Sequence, residues 1–188
     1  MRVQLKRPSA LDERRFLAAA RRSRAFLGRR APPPCTPKAY RAYLRRLRNP
    51  AHDGRFVVLR TSLELVGVIN VNEIVRGHFR SGYLGYYAFV PHAGRGYMSE
   101  GLALALCWAF GELRLHRVEA NIQPANEASR ALVRRLGFRR DGFSRRYLKI
   151  AGRWRDHERW ALLAEDWRGH QSSNFGVQRS HGQGAVRR

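Results

Sequence analysis

The sequence predicts an α+β fold in which helices flank a mixed, mostly antiparallel sheet. Three observations carry that prediction. From Arg55 onward, three β-branched and apolar runs follow one another with only short turns between them, the pattern of antiparallel neighbours. A long apolar helix, a strand and a short helix come next, a β-α-β-α unit appended to a meander. Two further strand-like segments then close the chain as a hairpin, which does not fit a doubly wound parallel sheet.

Taken in order, residues 2–7 (RVQLKR) alternate and form a first strand. Ser9 opens a helix that sets Leu11, Phe16, Leu17, Phe26 and Leu27 near one face, and Ser9 with Asp12 supplies a short capping pattern. The stretch APPPCTP breaks the chain, and Thr36 opens a second helix that ends before Pro50. RFVVLR, LELVGVINVNEIV and GYLGYYAFV are the three successive strands. After PHAGRG a helix covers 97–115, with Leu102, Ala105, Leu106, Ala109 and Leu113 as its inner stripe. RVEANI is a strand, and NEASRALVRRLGF is a short helix ending on Gly137, a residue suited to a left-handed terminus. FRRDGFSRRYLKI and RWRDHERWALL make the closing hairpin. From Arg168 the tail holds few apolar residues and reads as disordered, giving a domain of 1–168 and a basic tail of 169–188.

The 188 residues are 44% hydrophobic, enough for a core without disulfide or metal staples. Cys35 and Cys107 are far apart and form no framework, which points to a reducing compartment. The histidines show no metal-ligand spacing, so no metal is expected. The apolar run Leu102–Phe110 falls far short of the ~20 residues of a membrane span, and the N-terminus has no apolar signal core. A cytoplasmic protein that avoids the membrane is therefore expected. The net charge of +23 attracts polyanions such as RNA, ribosomes or phosphorylated cofactors. Only Lys6, Lys38 and Lys149 are lysines, an arginine bias that GC-rich coding alone can also produce.

PHAGRGYMSEG (91–101) sits between a strand and a long helix. The first turn of a helix leaves amide hydrogens unpaired and carries partial positive charge. Gly94 and Gly96 let a bulky phosphate approach the backbone, and Arg95 adds charge. The loop has neither the G-K-[ST] of a Walker sequence nor a dinucleotide-binding context. An ordinary turn stays open on these residues alone.

AGRGYMSEGL together with NEASRALVRRLGF resembles the GCN5-related N-acetyltransferase (GNAT) family. More narrowly, GYLGYYAFVPHAGRGYMSEGL, ANIQPANEASRALVRRLGF and GRWRDHERWALLAEDW are similar to its RimJ-type ribosomal-protein-alanine N-acetyltransferases, a match over approximately residues 54–168. The resemblance implies a splayed pair of parallel strands, ending at Val90 and Ile122, that holds acetyl-CoA. It implies backbone hydrogen bonds from Phe89 and Val90 to the pantetheine arm. It also implies a pyrophosphate wrapped by Gly94, Arg95, Gly96, Tyr97, Met98 and Ser99, with Asn126 bonding the pantetheine or nearby backbone. Three positions depart from the family pattern: Ala93 and Met98 in the loop, and Val133 where many relatives carry a proton-donating tyrosine.

Acyl transfer to an amine needs a neutral nucleophile, donors for the carbonyl oxygen and a proton for the departing thiolate. An α-amine, with a pKa of roughly 7.7–8.0, needs only a weak base or a water chain, whereas lysine at about 10.4 needs a stronger one. Ser129, one helical turn after Asn126, is the candidate acid, and a hydroxyl that merely bonds the cofactor or an i−4 carbonyl is its alternative. Rim-type relatives have a serine proposed as acid at this place. Glu73 ranks above Glu119 as base, with a relayed water as an equal alternative. Alternation places Glu73 with Val71 and Val75 on one strand face. Glu100 is a partner of the helix dipole. Asp156 and His157 are adjacent on a strand and point to opposite faces, so they form no dyad, and Trp154, Asp156 and Glu158 share a face.

The expected activity is acetyl transfer from acetyl-CoA to the N-terminal α-amine of a protein, with a ribosomal protein as acceptor and electrostatic contact to rRNA or the ribosome. Two alternatives remain at this stage: a small-molecule amine acceptor on the same fold, and a basic RNA- or ribosome-binding module with weak or lost catalysis. Sequence gives no oligomeric state.

Overall fold

The computed structural model describes residues 1–28 and 33–174, with side chains described as far as Gly169. Strand β1 (Val3–Lys6) leads through a 3-10 turn (Ala10–Asp12) into α1 (Glu13–Arg22) and the short α2 (Arg24–Leu27). Helix α3 (Pro37–Arg46) precedes the meander β2 (Asp53–Leu59), β3 (Leu65–Val75) and β4 (Ser81–Ala88). Then come α4 (Tyr97–Gly111), β5 (Arg117–Ile122), α5 (Glu127–Arg135), β6 (Arg139–Ile150), β7 (Arg153–Leu163) and α6 (Ala164–Asn174).

The strands form one seven-stranded sheet in the order β1-β2-β3-β4-β5-β7-β6. Every neighbouring pair is antiparallel except β4 and β5, which are parallel. The α+β mixed sheet expected from sequence is therefore the observed one.

Alternation along the strands builds a core on each face of the sheet. On one side Phe56, Val58, Val68 and Phe89 pack with Phe16, Tyr40 and Tyr43 from α1 and α3. On the other side Val57, Ile69 and Val71 pack with Leu102, Leu106 and Ala109 of α4 and with Val133 of α5. Helices cover both faces, which is why β3 reads as a continuous apolar run (Leu65–Val71 are all buried).

Helix starts follow the expected chemistry. The Asp12 carboxylate accepts from the Ser9 N–H at 2.9 Å and from its hydroxyl at 2.8 Å, and Thr36 Oγ1 accepts from the Ala39 N–H at 3.2 Å. Three expectations are corrected. The helix expected from Ser9 breaks at Ser23 and begins as a tighter 3-10 turn, so the periodicity loses phase; Leu11 is 94% exposed and Phe26 56%. The helix expected over 97–115 ends at Gly111, leaving Leu113 beyond it as a half-buried contact. Helix α6 continues through Asn174, past the point where the tail was expected to lose structure. The remainder of that tail, 175–188, lies outside the described residues, as does the segment 29–32, which includes the first two residues of APPPCTP.

Candidate acyl-transfer site

Strands β4 and β5 pair only at Ser81–Arg117, Gly82–Val118 and Tyr83–Glu119, and then diverge. The gap opens into a cavity of about 440 Å³. Its lining brings together Glu73, Asn126 and Ser129 from the sequence candidates, and adds Asn72, Tyr86, Asn121, Tyr147 and His157. Four elements meet there: the end of β3, the splayed strands, the start of α5 and the β6–β7 hairpin.

Asn126 caps α5, its side-chain oxygen accepting from the Ser129 N–H at 3.3 Å. This cap aims the first turn of α5 at the gap. Ser129 Oγ lies 2.5 Å from the Tyr86 hydroxyl of β4. Burial pushes the Tyr86 phenol up to about 12, and its bond to Ser129 moderates the rise. The pair therefore stays protonated through neutral pH. Val133 is fully buried in the core below, and the hydroxyl that meets Ser129 comes from β4.

Glu73 occupies a bulge in β3, where pairing with β4 jumps from Asn72 to Val75. Its φ of 49° is uncommon for a residue with a side chain. The bulge ends the simple alternation expected for Val71, Glu73 and Val75: Ile74 turns inward, while the Glu73 side chain is 69% exposed at the cavity rim, 4.0 Å from His52 Nε2. Two neighbours, Asn72 and Asn121, carry buried side-chain oxygens with no hydrogen-bond partner among the described residues. Acceptors of that kind suit an entering N–H donor.

Glu119 does not line the cavity. It is held by Arg117 at 2.8 Å, and Arg117 also pairs with Asp141. His157 does line the cavity, although sequence reasoning set it aside. Its Nδ1 donates to the Arg155 carbonyl at 3.0 Å, which leaves Nε2 as the lone-pair nitrogen, and burial holds its pKa below the usual histidine value. Glu158, expected to share a face with Trp154 and Asp156, is buried where those two are exposed. It accepts from Trp160 Nε1 at 3.0 Å and pairs with Arg130.

The glycine loop meets the start of α4. Gly94 and Gly96 have φ of 77° and 79°, values that side chains rarely adopt, and Gly96 is the N-terminal cap of α4. Among the described residues the amides of Gly96, Tyr97 and Met98 have no hydrogen-bond partner, whereas Ser99 gives its N–H to the Gly96 carbonyl at 3.0 Å. Arg2 lies over this loop. It donates to the Arg95 carbonyl at 3.1 Å, sits 4.4 Å from the Tyr97 ring centre and pairs with Glu100 at 2.7 Å. Glu100 is partly buried, which alone would raise its pKa, but its hydrogen bonds from Arg2 hold it below the usual carboxylate range. The charge that would repel an anion from this helix terminus is thereby matched.

The unusual Met98 is also accounted for. A Cβ on Gly67 of β3 would stand 2.5 Å from the Tyr87 carbonyl oxygen of β4 and 2.6 Å from Met98 Sδ, so the missing side chain of Gly67 admits both the neighbouring strand and the methionine. The N–H groups of Phe89 and Val90, expected to bond the pantetheine arm, are engaged within the protein. Phe89 gives its N–H to Val66 at 2.7 Å and Val90 gives its own to Ser23 Oγ at 3.0 Å. Strand alternation turns the N–H and C=O of Tyr86 and Ala88 toward the gap instead.

Open glycines, unpaired amides and a polar wedge between splayed strands fit a phosphorylated thioester with an extended arm. Among the described residues no group of three metal-ligating side chains occurs, and no helix is long and apolar enough to cross a membrane.

A family model described as an acetyltransferase (GNAT) domain matches residues 2–139. The [ribosomal protein uS5]-alanine N-acetyltransferase of Escherichia coli (strain K12) is 41% identical over 104 residues, covering 55% of this chain and 54% of that protein. The chain spans about half the length of the curated relatives it matches. Among solved structures, the ribosomal-protein-S5-alanine acetyltransferase from Vibrio fischeri superposes with a TM-score of 0.78 at 26% identity, covering 89% of this chain and 96% of that one. Mycobacterium smegmatis RimJ in complex with CoA-disulfide gives the same TM-score and identity, covering 87% and 83%.

Proposed function

This chain belongs to the GNAT family of acetyltransferases, and from that premise we propose that it moves the acetyl group of acetyl-CoA to the N-terminal α-amine of a ribosomal protein, within a ternary complex. The observation that carries this reading is the splayed β4–β5 gap, where the Tyr86–Ser129 hydroxyl pair and the Glu73 carboxylate line one cavity. The 41% identical relative, named for its action on an alanine of ribosomal protein uS5, supports the choice of acceptor.

Acetyl-CoA supplies the activated acetyl group as a thioester. Gly94, Arg95, Gly96, Tyr97, Met98 and Ser99 form the pyrophosphate cradle, chiefly through the unpaired amides of Gly96, Tyr97 and Met98. Tyr86 and Ala88 offer backbone groups to the arm, and Asn126 holds the α5 terminus in place. The amine enters past Glu73, with the oxygens of Asn72 and Asn121 accepting its N–H groups. Glu73, directly or through water, takes the proton that the nitrogen loses. His157 is the second base within the cavity.

The Tyr86–Ser129 pair faces the departing sulfur. Full proton transfer from a phenol near pKa 12 to a thiolate resembling that of cysteine, at about 8.5, would be uphill by roughly 5 kcal/mol. The pair therefore acts by donating a hydrogen bond to developing charge, and solvent supplies the proton afterwards.

The test is mass spectrometry of alanine-initiated ribosomal-protein N-terminal peptides after incubation with acetyl-CoA, with Nα-blocked peptides and spermidine as controls. An added acetyl on the free α-amine alone is expected. No product on any ribosomal protein, or faster turnover of spermidine, would overturn the reading.

A further inference from the structure

The β6–β7 hairpin forms one wall of the cavity through Tyr147, Leu148, Ile150 and His157. Exposed cations run along both of its faces, some beside this wall and some on the face turned away from it. Arg145, Arg146, Lys149, Arg153, Arg155 and Arg159 are all exposed, and among the described residues none of them forms an ion pair. The carboxylates of the hairpin are already engaged. Asp141 pairs with Arg117, Asp156 accepts from the Arg146 N–H at 2.7 Å, and Glu158 is buried against Arg130 and Trp160. Positive charge is thus left uncompensated along both strands, at the edge of the sheet.

Two exposed aromatics stand in this field, Phe143 (45%) on β6 and Trp154 on β7. Trp154 is 59% exposed near the hairpin tip, and its strand partner is Lys149, so indole and ammonium share a face. A flat apolar ring beside a cation matches a nucleotide, whose base stacks while its phosphate is neutralised. Anionic lipid fits less well: the cations extend down the strands on both faces rather than gathering at the tip beside the exposed Leu148 and Trp154.

We infer that the exposed cationic β6–β7 hairpin docks RNA, holding a strand beside the mouth of the acceptor cavity. Docking itself stands on charge and exposure alone; that the acceptor is thereby presented from a ribonucleoprotein rests on the proposed function. Arg153 and Arg155 share a strand face with the cavity-lining Leu148, Ile150 and His157, so an RNA strand held by them lies beside the cavity wall.

Fluorescence anisotropy of the full chain with a labelled stem-loop RNA, titrated at several salt concentrations, tests this. The R145Q/K149Q/R153Q variant is compared with R21Q/R45Q/R48Q, which removes the same charge from the α1–α3 region, and with W154A. Circular dichroism and acetyl-CoA binding check that each variant is folded. If the three hairpin cations meet phosphates, their removal lowers the log–log salt slope by about 2, and W154A weakens binding by about 5- to 150-fold. The α1–α3 variant should bind nearly as wild type. Equal loss in both triple variants, wild-type binding by the hairpin variant, or preference for phosphatidylserine vesicles over RNA would each overturn the inference. Peptide acetylation in the absence of RNA reads the proposed function separately, so either idea can fail alone.

Discussion

Tyr86 and Ser129 are 43 residues apart in sequence yet share a 2.5 Å hydrogen bond in the cavity. Because the two hydroxyls act on one developing charge, Tyr86→Phe and Ser129→Ala should each lower kcat by about 10- to 100-fold, leaving acetyl-CoA affinity nearly unchanged. The double variant should lose little more than the worse single one, since the pair acts as a unit; steady-state kinetics with saturating peptide measures this. Glu73→Gln should lower kcat/KM for the peptide by about 10- to 100-fold, again with acetyl-CoA binding intact. A normal rate in Glu73→Gln, together with an acid limb that disappears in His157→Gln, would move the base to His157. Ser129, Asn126 and Glu73 were legible because each lies in a motif or carries a charge on a strand. Tyr86 was not, since an aromatic in an apolar strand reads as core until its neighbour across the gap is known. His157 was set aside for adjacency to Asp156, an argument about the dyad that leaves the cavity wall unaddressed.

At the scale of the element, the loop before α4 holds Gly96 at φ 79°. Gly96→Glu adds left-handed strain of about 1–2 kcal/mol and a negative charge where unpaired amides converge. Calorimetry should show acetyl-CoA binding weakened by more than about 100-fold while circular dichroism stays native, because charge and sterics act together at a helix terminus. Gly67 is hemmed in by the Tyr87 carbonyl of β4 and by Met98 of α4. Gly67→Ala should destabilise the fold by about 1–3 kcal/mol in urea titration, an overpacking effect, and a Met98→Ala second change should recover little of that loss, because the clash with the Tyr87 carbonyl at 2.5 Å stays. Periodicity located every strand and most helices to within a few residues. It missed the break at Ser23 and the bulge at Glu73, because both are imposed by neighbours: Ser23 Oγ is claimed by the Val90 amide, and the bulge is a mismatch between two strands.

Across the whole molecule, stability should respond to acid in two stages. Buried His157 has a folded pKa below its usual 6.5, so the unfolded chain binds the proton first. Stability is full above about 6.5 and falls as pH drops through the window between that value and the folded pKa. Asp12 is 1% exposed; burial raises its pKa, but Lys6, Ser9 and Arg15 together hold it below 3.8. Its contribution is present above that value and is lost as pH falls through the lower folded pKa. Tm measured from pH 8 to pH 3 should therefore dip first near pH 6, and His157→Gln should remove that first dip alone. The sequence by itself determined the order of elements, the α+β class, the glycine loop and the family resemblance, since each depends on spacing within a short segment. Tertiary structure decided which groups share the cavity, which amides are already spent inside the sheet, why Met98 fits, and that Glu119 and Glu158 are held in ion pairs. Those outcomes depend on which residues distant in the chain become neighbours, and on whether a polar atom then finds a protein partner or is left for a ligand.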